Sequence, residues 1–205
     1  MRKISAEANG TVRPRLSSPV LLGLLVLCWL LVALGHYYVV PHAAGRPWLI
    51  ALADPATHAL VAVALTLPFL GTGRIGWPLA LLTVSLAVLI DLDHAVAAGS
   101  LHPARMVSLP ARPLSHSLLF AAAAGGLLAA VLPRRLAGQP RGLLWYLFAM
   151  SLASHVLRDA IDSHNTPWTW PAPPPPWADW QFFGLMTLLT GLHYWYAYRW
   201  RRSIS

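Results

Sequence analysis

Residues 20–40 read VLLGLLVLCWLLVALGHYYVV, with not one Asp, Glu, Lys or Arg among them. As a helix this stretch rises about 31 Å, the hydrocarbon thickness of a bilayer. Several later runs are nearly as apolar. With 57% apolar and 11% charged residues, the 205-residue chain lacks the polar surface that two soluble domains need. The expected fold is therefore all-α, a polytopic membrane protein built as a bundle of about six transmembrane helices. Residues 1–18 are expected to form a disordered basic cytoplasmic tail, and 19–205 a single six-helix transmembrane domain. No small-residue cleavage site follows the first run, so it reads as a retained signal anchor. The lone Cys28 lies inside it, which leaves no disulfide framework within the chain.

The first helix is expected over about 19–40. Residues 43–53 read as a loop closed by Asp54-Pro55, a capping residue with proline at the first helical position. Helices follow over about 55–70 and 75–90, the latter running into Asp91-Leu92-Asp93-His94. A loop past Gly99 and Pro110 leads to Arg112-Pro113-Leu114-Ser115-His116-Ser117 and a fourth helix ending near 132. The fifth covers about 142–162 and the sixth about 178–198. Between them lies a Pro- and Trp-rich stretch that no helix can continue.

Six alternating helices bring His58, Asp91 to His94, His116 and His155 to one end of the bundle. That end carries four basic residues, Arg46, Arg105, Arg112 and Arg158, against eleven at the other. By the positive-inside rule both termini are cytoplasmic and the polar cluster faces outward from the inner membrane, in a multi-pass arrangement. The net charge of +8 is dispersed at the ends of apolar runs. It marks orientation rather than a nucleic-acid surface, and the expected surroundings are membrane lipids. About thirteen residues, roughly 20 Å of helix, separate His58 from Gly71 and His155 from Gly142, less than a ~30 Å core. The cluster is therefore expected in a recess of the outer leaflet, or in a bilayer that thins around it.

His155, Asp159 and Asp162 stand at i, i+4 and i+7, one stripe of a helix. Ionisable groups at such depth need partners, and a shared cation supplies one. His58, Asp91, Asp93, His116, His155 and Asp159 are the expected ligands of a divalent metal, zinc, with manganese as the other candidate. Asp91 and Asp93, at i and i+2, converge only if their helix ends there. Asp54 reads as a cap, and His36 and His42 as residues of the wet interface. Arg112 either binds a substrate phosphate or carboxylate, or pairs with Asp91 or Asp93. Ser115 and Ser117 read as hydrogen-bond donors to the ligands. Trp168, Trp170, Trp177 and Trp180 read as an interfacial belt or a lid.

Four segments carry a resemblance: Thr57-His58, Asp91-Leu92-Asp93-His94, Arg112-Pro113-Leu114-Ser115-His116-Ser117 and His155-Val156-Leu157-Arg158-Asp159. With Thr166 and Trp168-Thr169-Trp170-Pro171 they resemble the LexA-regulated inner-membrane metal-dependent hydrolases, over about residues 54–171. The ligand types are also similar to those of zinc-dependent phospholipase C enzymes. That resemblance implies a metal site made of these His and Asp residues, and hydrolysis. Ala111 stands where the family usually has His, and Ile90 where it usually has Pro. His102 is the replacement ligand that the sequence offers.

The expected function is hydrolysis at the outer face of an ester or phosphoester in a lipid or lipid-linked substrate. Asp91 and Asp93 supply ligand and general base in either order, and Arg112 stabilises developing negative charge. A metal-binding transporter or channel subunit is the alternative that polar groups in the cytoplasmic half favour. A non-catalytic scaffold or regulatory partner is the alternative if the ligands are dispensable.

Overall fold

Proline in the first turn opens several helices, because its fixed φ suits that position and its missing N–H has no partner to lose there. It does so in α1 (Ser18–Leu34), α2 (Pro47–Gly71) and α3 (Trp77–Leu89). After α4 (Leu92–Ala98), Pro103 likewise opens the short α5 (Pro103–Val107). A 3-10 turn, Leu114–His116, precedes α6 (Leu118–Val131), and α7 (Arg141–Asp162) and α8 (Asp179–Arg202) complete the order. The computed structural model describes residues 15–43, 45–110, 112–133, 139–162, 166–170 and 178–202. The tail at 1–14, Ala111, Arg134, Arg135, His164, Pro171 and Trp177 lie outside them.

All regular structure among the described residues is helical. Three segments are long and apolar enough to cross a membrane: Ser18–His42, Pro47–Gly71 and Trp77–Ala98. The shorter α6 is apolar throughout, while α7 and α8 have the length and carry polar residues on one face. Large apolar side chains on α1, Leu22 and Leu30 among them, stay exposed, as befits a helix whose solvent is lipid.

Two boundaries differ from expectation. α1 continues through a π-helical stretch (Gly35–Val39) and a last turn (Val40–His42). A π turn changes which residues face inward. His36 is thereby buried and meets Asp179 Oδ2 at 3.4 Å, while Tyr37 stacks on Phe183. His36 is thus buried against a half-exposed Asp179, while His42 is exposed and turns back on the Tyr38 carbonyl.

The second difference matters more. Residues 47–53 are not a loop, and Asp54-Pro55 is not a cap, because α2 starts at Pro47 and carries Pro55 in its interior. An apolar segment at membrane depth must bond its own backbone, so helix continues through a proline that would end it in water. His58 consequently sits near mid-helix, about 20 Å from the Gly71 end and about 17 Å from the Pro47 end.

α3 ends where the Asp91 N–H turns to Val88 O (3.2 Å), and α4 restarts at Leu92. α6 and α7 pack closely at Gly125, where an added Cβ would lie 2.6 Å from Ala149 N. That contact aligns the helix that follows His116 with the one that carries His155. The Ser17–Ser18 end is tied down by Leu16 N to Gly71 O (2.7 Å) and by Arg201 to Leu16 O (2.9 Å). Phe69, Ile75, Leu144 and Phe148 fill the core at this basic end. Val61, Leu157, Phe182 and Val156 surround the polar cluster at the other.

Candidate metal centre

His155 is placed by two ties from α7 to α3. The Ser151 hydroxyl donates to Thr83 O, and one turn on, His155 Nδ1 faces Ala87 O at 2.6 Å. A carbonyl only accepts, so Nδ1 carries the proton and Nε2 turns a lone pair inward. The end of α3 helps, because the Asp91 N–H has turned to Val88 O instead of following the helical path.

His116 is oriented in the same sense. Its Nδ1 lies 3.4 Å from Asp93 Oδ2, which also accepts the Ser115 hydroxyl. A carboxylate behind Nδ1 leaves Nε2 as the inward lone pair, the arrangement metal-bound histidines use. His155 Nε2 and His116 Nε2 face one another at 3.2 Å. Asp159 Oδ2 is 3.3 Å from the second and 3.4 Å from the first, and Asp91 Oδ1 is 3.3 Å from His155 Nε2. Atoms of Asp91, His116, His155 and Asp159 all lie within 4.8 Å of one another. Two imidazole lone pairs and two carboxylates thus converge on one point, and among the described residues neither oxygen of buried Asp159 accepts a hydrogen bond, the Arg112 guanidinium standing off Oδ2 at 3.5 Å. Four acceptors around one point repel unless a cation joins them. The donor set of two nitrogens and two carboxylate oxygens fits a divalent ion.

Two further groups share members with this one. Asp54, His58 and Asp159 form the first, and Asp93, His94 and His116 the second. All six expected ligand residues therefore meet in one cluster, with His58 and Asp93 on its flanks. His58 stacks on His155 with ring centroids 3.6 Å apart, and its Nε2 lies 3.2 Å from Asp159 Oδ1. Arg158 Nη1 donates to His58 Nε2 (2.9 Å) and to Asp54 Oδ1. A guanidinium at that point opposes a second cation there.

Sequence reasoning missed three members: Asp54, His94 and Arg158. Asp54 and His58 at i, i+4, and Asp91 and His94 at i, i+3, were the signal available. His94 lies between Arg112 Nη1, which donates to its Nε2 at 3.0 Å, and Asp91 Oδ1 at 3.4 Å from its Nδ1. It therefore orients Asp91. Arg112 pairs with Asp159 (Nε to Oδ2, 3.5 Å) and not with Asp91 or Asp93. The Ser117 hydroxyl accepts the Phe120 N–H and caps α6, and among the described residues it makes no hydrogen bond to a ligand. His102 is exposed, outside all three groups. The Asp162 side chain lies outside the described residues. Trp168 is half-buried and packs against the core beside α6, whereas Trp170 and Trp180 are exposed.

Burial grades the cluster. His58, His116 and His155 side chains are fully enclosed and Asp159 is 1% exposed, while Asp91 is 18%, Asp93 24% and Arg112 23% exposed. Asp54, Asp91, His94 and Arg112 face a cavity of about 200 Å³, walled on its apolar side by Ile50 and Met106. His116 lies in the 3-10 turn before α6, outside the three candidate spans. Burial resists its charging, yet the adjacent Asp91 and Asp93 raise its pKa above the ordinary histidine value. Four carboxylates against Arg112 and Arg158 leave these groups a formal charge of −2 with neutral imidazoles, which one divalent ion cancels.

Comparison with known proteins agrees with a membrane setting. Transmembrane protein 267 of Danio rerio is 34% identical over 128 residues, 62% of this chain and 58% of that protein. The chain thus spans less than two thirds of that relative's length. No solved structure matches it. Residues 54–204, which include every member of the cluster, match the YdjM inner membrane protein family, and the chain belongs to that family.

Proposed function

We propose that this protein is a metal-dependent hydrolase of the inner membrane, acting on an ester or phosphoester of a lipid or lipid-linked substrate. One observation carries the reading: His155 Nε2 and His116 Nε2 face each other across 3.2 Å with Asp91 and Asp159 beside them, while each Nδ1 is turned to an acceptor, Ala87 O or Asp93. Asp91, His116, His155 and Asp159 hold the ion, zinc by donor type. When bound, it lowers the pKa of a water and polarises the scissile bond.

The chain's own groups do the rest. Asp159, buried and held by Arg112, fixes the site's geometry, and Asp93 orients His116 through Nδ1. Asp91 lines the cavity, and its oxygen not held by the histidines takes the proton from the attacking water. The order left open between the two aspartates is thus resolved in this proposal: Asp91 is ligand and base, Asp93 a positioning residue. Arg112, at the cavity wall, stabilises the negative charge that develops on the substrate. The apolar wall at Ile50 and Met106 suits an acyl or isoprenoid neighbour of the scissile bond. Both termini lie in the cytoplasm and the cavity opens toward the outer leaflet.

Purified protein incubated with zinc and vesicles of phospholipid or lipid-linked phosphate is expected to release a hydrolysis product. Asp91→Asn is expected to lower that rate by at least about a hundredfold, the usual worth of a positioned base. Equal rates for wild type and Asp91→Asn would refute the assignment.

A further inference from the structure

A second set of polar groups lies at the basic end, away from the metal centre. A cavity of about 520 Å³ opens there between the end of α2, the start of α7 and the second half of α8. Its lining is mostly apolar, with Phe69, Leu192 and Trp195, but Arg74, Tyr146, His193 and Tyr196 add polar groups. Arg74 is placed by contacts at its backbone and its side chain. It follows Gly73, whose φ of +74° makes the turn after α2, and its carbonyl accepts from Gln139 Nε2 at 2.6 Å. Its guanidinium lies 4.6 Å from the Tyr196 ring centroid and 5.0 Å from that of Trp200.

Nη2 donates to the Tyr196 hydroxyl at 2.9 Å. Nε and Nη1 are buried and have no hydrogen-bond partner among the described residues. Buried guanidinium donors are costly to leave unmet, and their planar fork matches two oxygens of a phosphate. Behind Arg74, His193 Nδ1 donates to Leu65 O at 2.8 Å, so its Nε2 accepts the Tyr146 hydroxyl proton. That leaves the Tyr146 oxygen as an acceptor facing the cavity. A cavity with one fixed cation, one oxygen acceptor and an apolar wall exposed to lipid at Leu192 and Trp195 fits an anionic amphiphile.

We propose that this cavity binds an anionic phospholipid, with its phosphodiester on Arg74 and an acyl chain along Leu192 and Trp195. A hydroxylated headgroup can donate to Tyr146. The site is independent of the metal centre and does not rest on hydrolysis.

The test uses the full chain in nanodiscs of phosphatidylcholine doped with phosphatidylglycerol, with retained lipid measured by native mass spectrometry. Wild type is expected to retain phosphatidylglycerol over phosphatidylcholine by about tenfold, because the choline cation offsets the phosphate charge beside Arg74 and choline has no hydroxyl to donate to Tyr146. Arg74→Gln is expected to lose that preference. Leu192→Trp, which fills the exposed groove and keeps the charge, is expected to lose it too, with helix content unchanged. Millimolar inorganic phosphate is expected not to compete. Equal retention of the two lipids by wild type, or an unchanged preference in both variants, would overturn the proposal. Competition by inorganic phosphate would overturn it as well, by making free phosphate the ligand.

Discussion

At the scale of single residues, the cluster depends on which ring nitrogen carries the proton. Ala87 O and Asp93 settle that for His155 and His116, and neither partner can be read from local spacing. The i, i+4 spacing of His155 and Asp159 was legible because a helix fixes it. Asp54 was not, because a Asp-Pro pair signals a helix start in water and α2 ignores that signal. Arg158 was counted as a charge at one membrane face. It is 1% exposed, wedged between Asp54 and His58. Arg158→Met leaves those buried groups without their counter-charge, and a loss of about 3–5 kcal/mol is expected, since breaking a buried pair strands its partner. Thermal unfolding in detergent reads this directly; a midpoint equal to wild type would show that the guanidinium is not structural.

At the scale of elements, the six apolar or amphipathic runs were legible from composition, because each span must bury or wet whole faces. Their ends were less so. α3 and α7 close within a residue or two of expectation, since Asp91 and Asp162 mark where apolar sequence stops. The π stretch of α1 and the early start of α2 depend on what those turns pack against, and sequence carries no sign of that. The contact of α6 on α7 through Gly125 is the element-level feature most open to test. A leucine there must push Ala149 away, and overpacking of this kind costs about 1–3 kcal/mol. Gly125→Leu is therefore expected to lower thermal stability and, by shifting His116 against His155, to weaken metal retention too. Unchanged values for both would mean that the two helices can move apart freely.

At the scale of the whole molecule, alternation of the helices sorts the groups: among the described residues the acids and every imidazole but His193 gather at one end, and Arg74, Arg141, Arg199, Arg201 and Arg202 at the other. His58 of the cluster lies near the middle of α2, because that helix starts at Pro47 and not at Pro55. A single cysteine placed at His102, in a Cys28-free background, is expected to react with an impermeant thiol reagent added from outside intact cells. Reaction only after the membrane is opened would reverse the orientation and put the cavity on the cytoplasmic side. The central claim is that four acceptors converge because an ion belongs between them. The direct measurement is metal content of protein purified without chelators, by mass spectrometry of the elements. Wild type is expected to carry about one divalent ion per chain, the count that neutralises the cluster, while His155→Ala and Asp159→Ala insert in the membrane without it. Metal-free wild type, or equal content in all three proteins, would contradict the account and leave protons on the histidines as the charges that hold the cluster together.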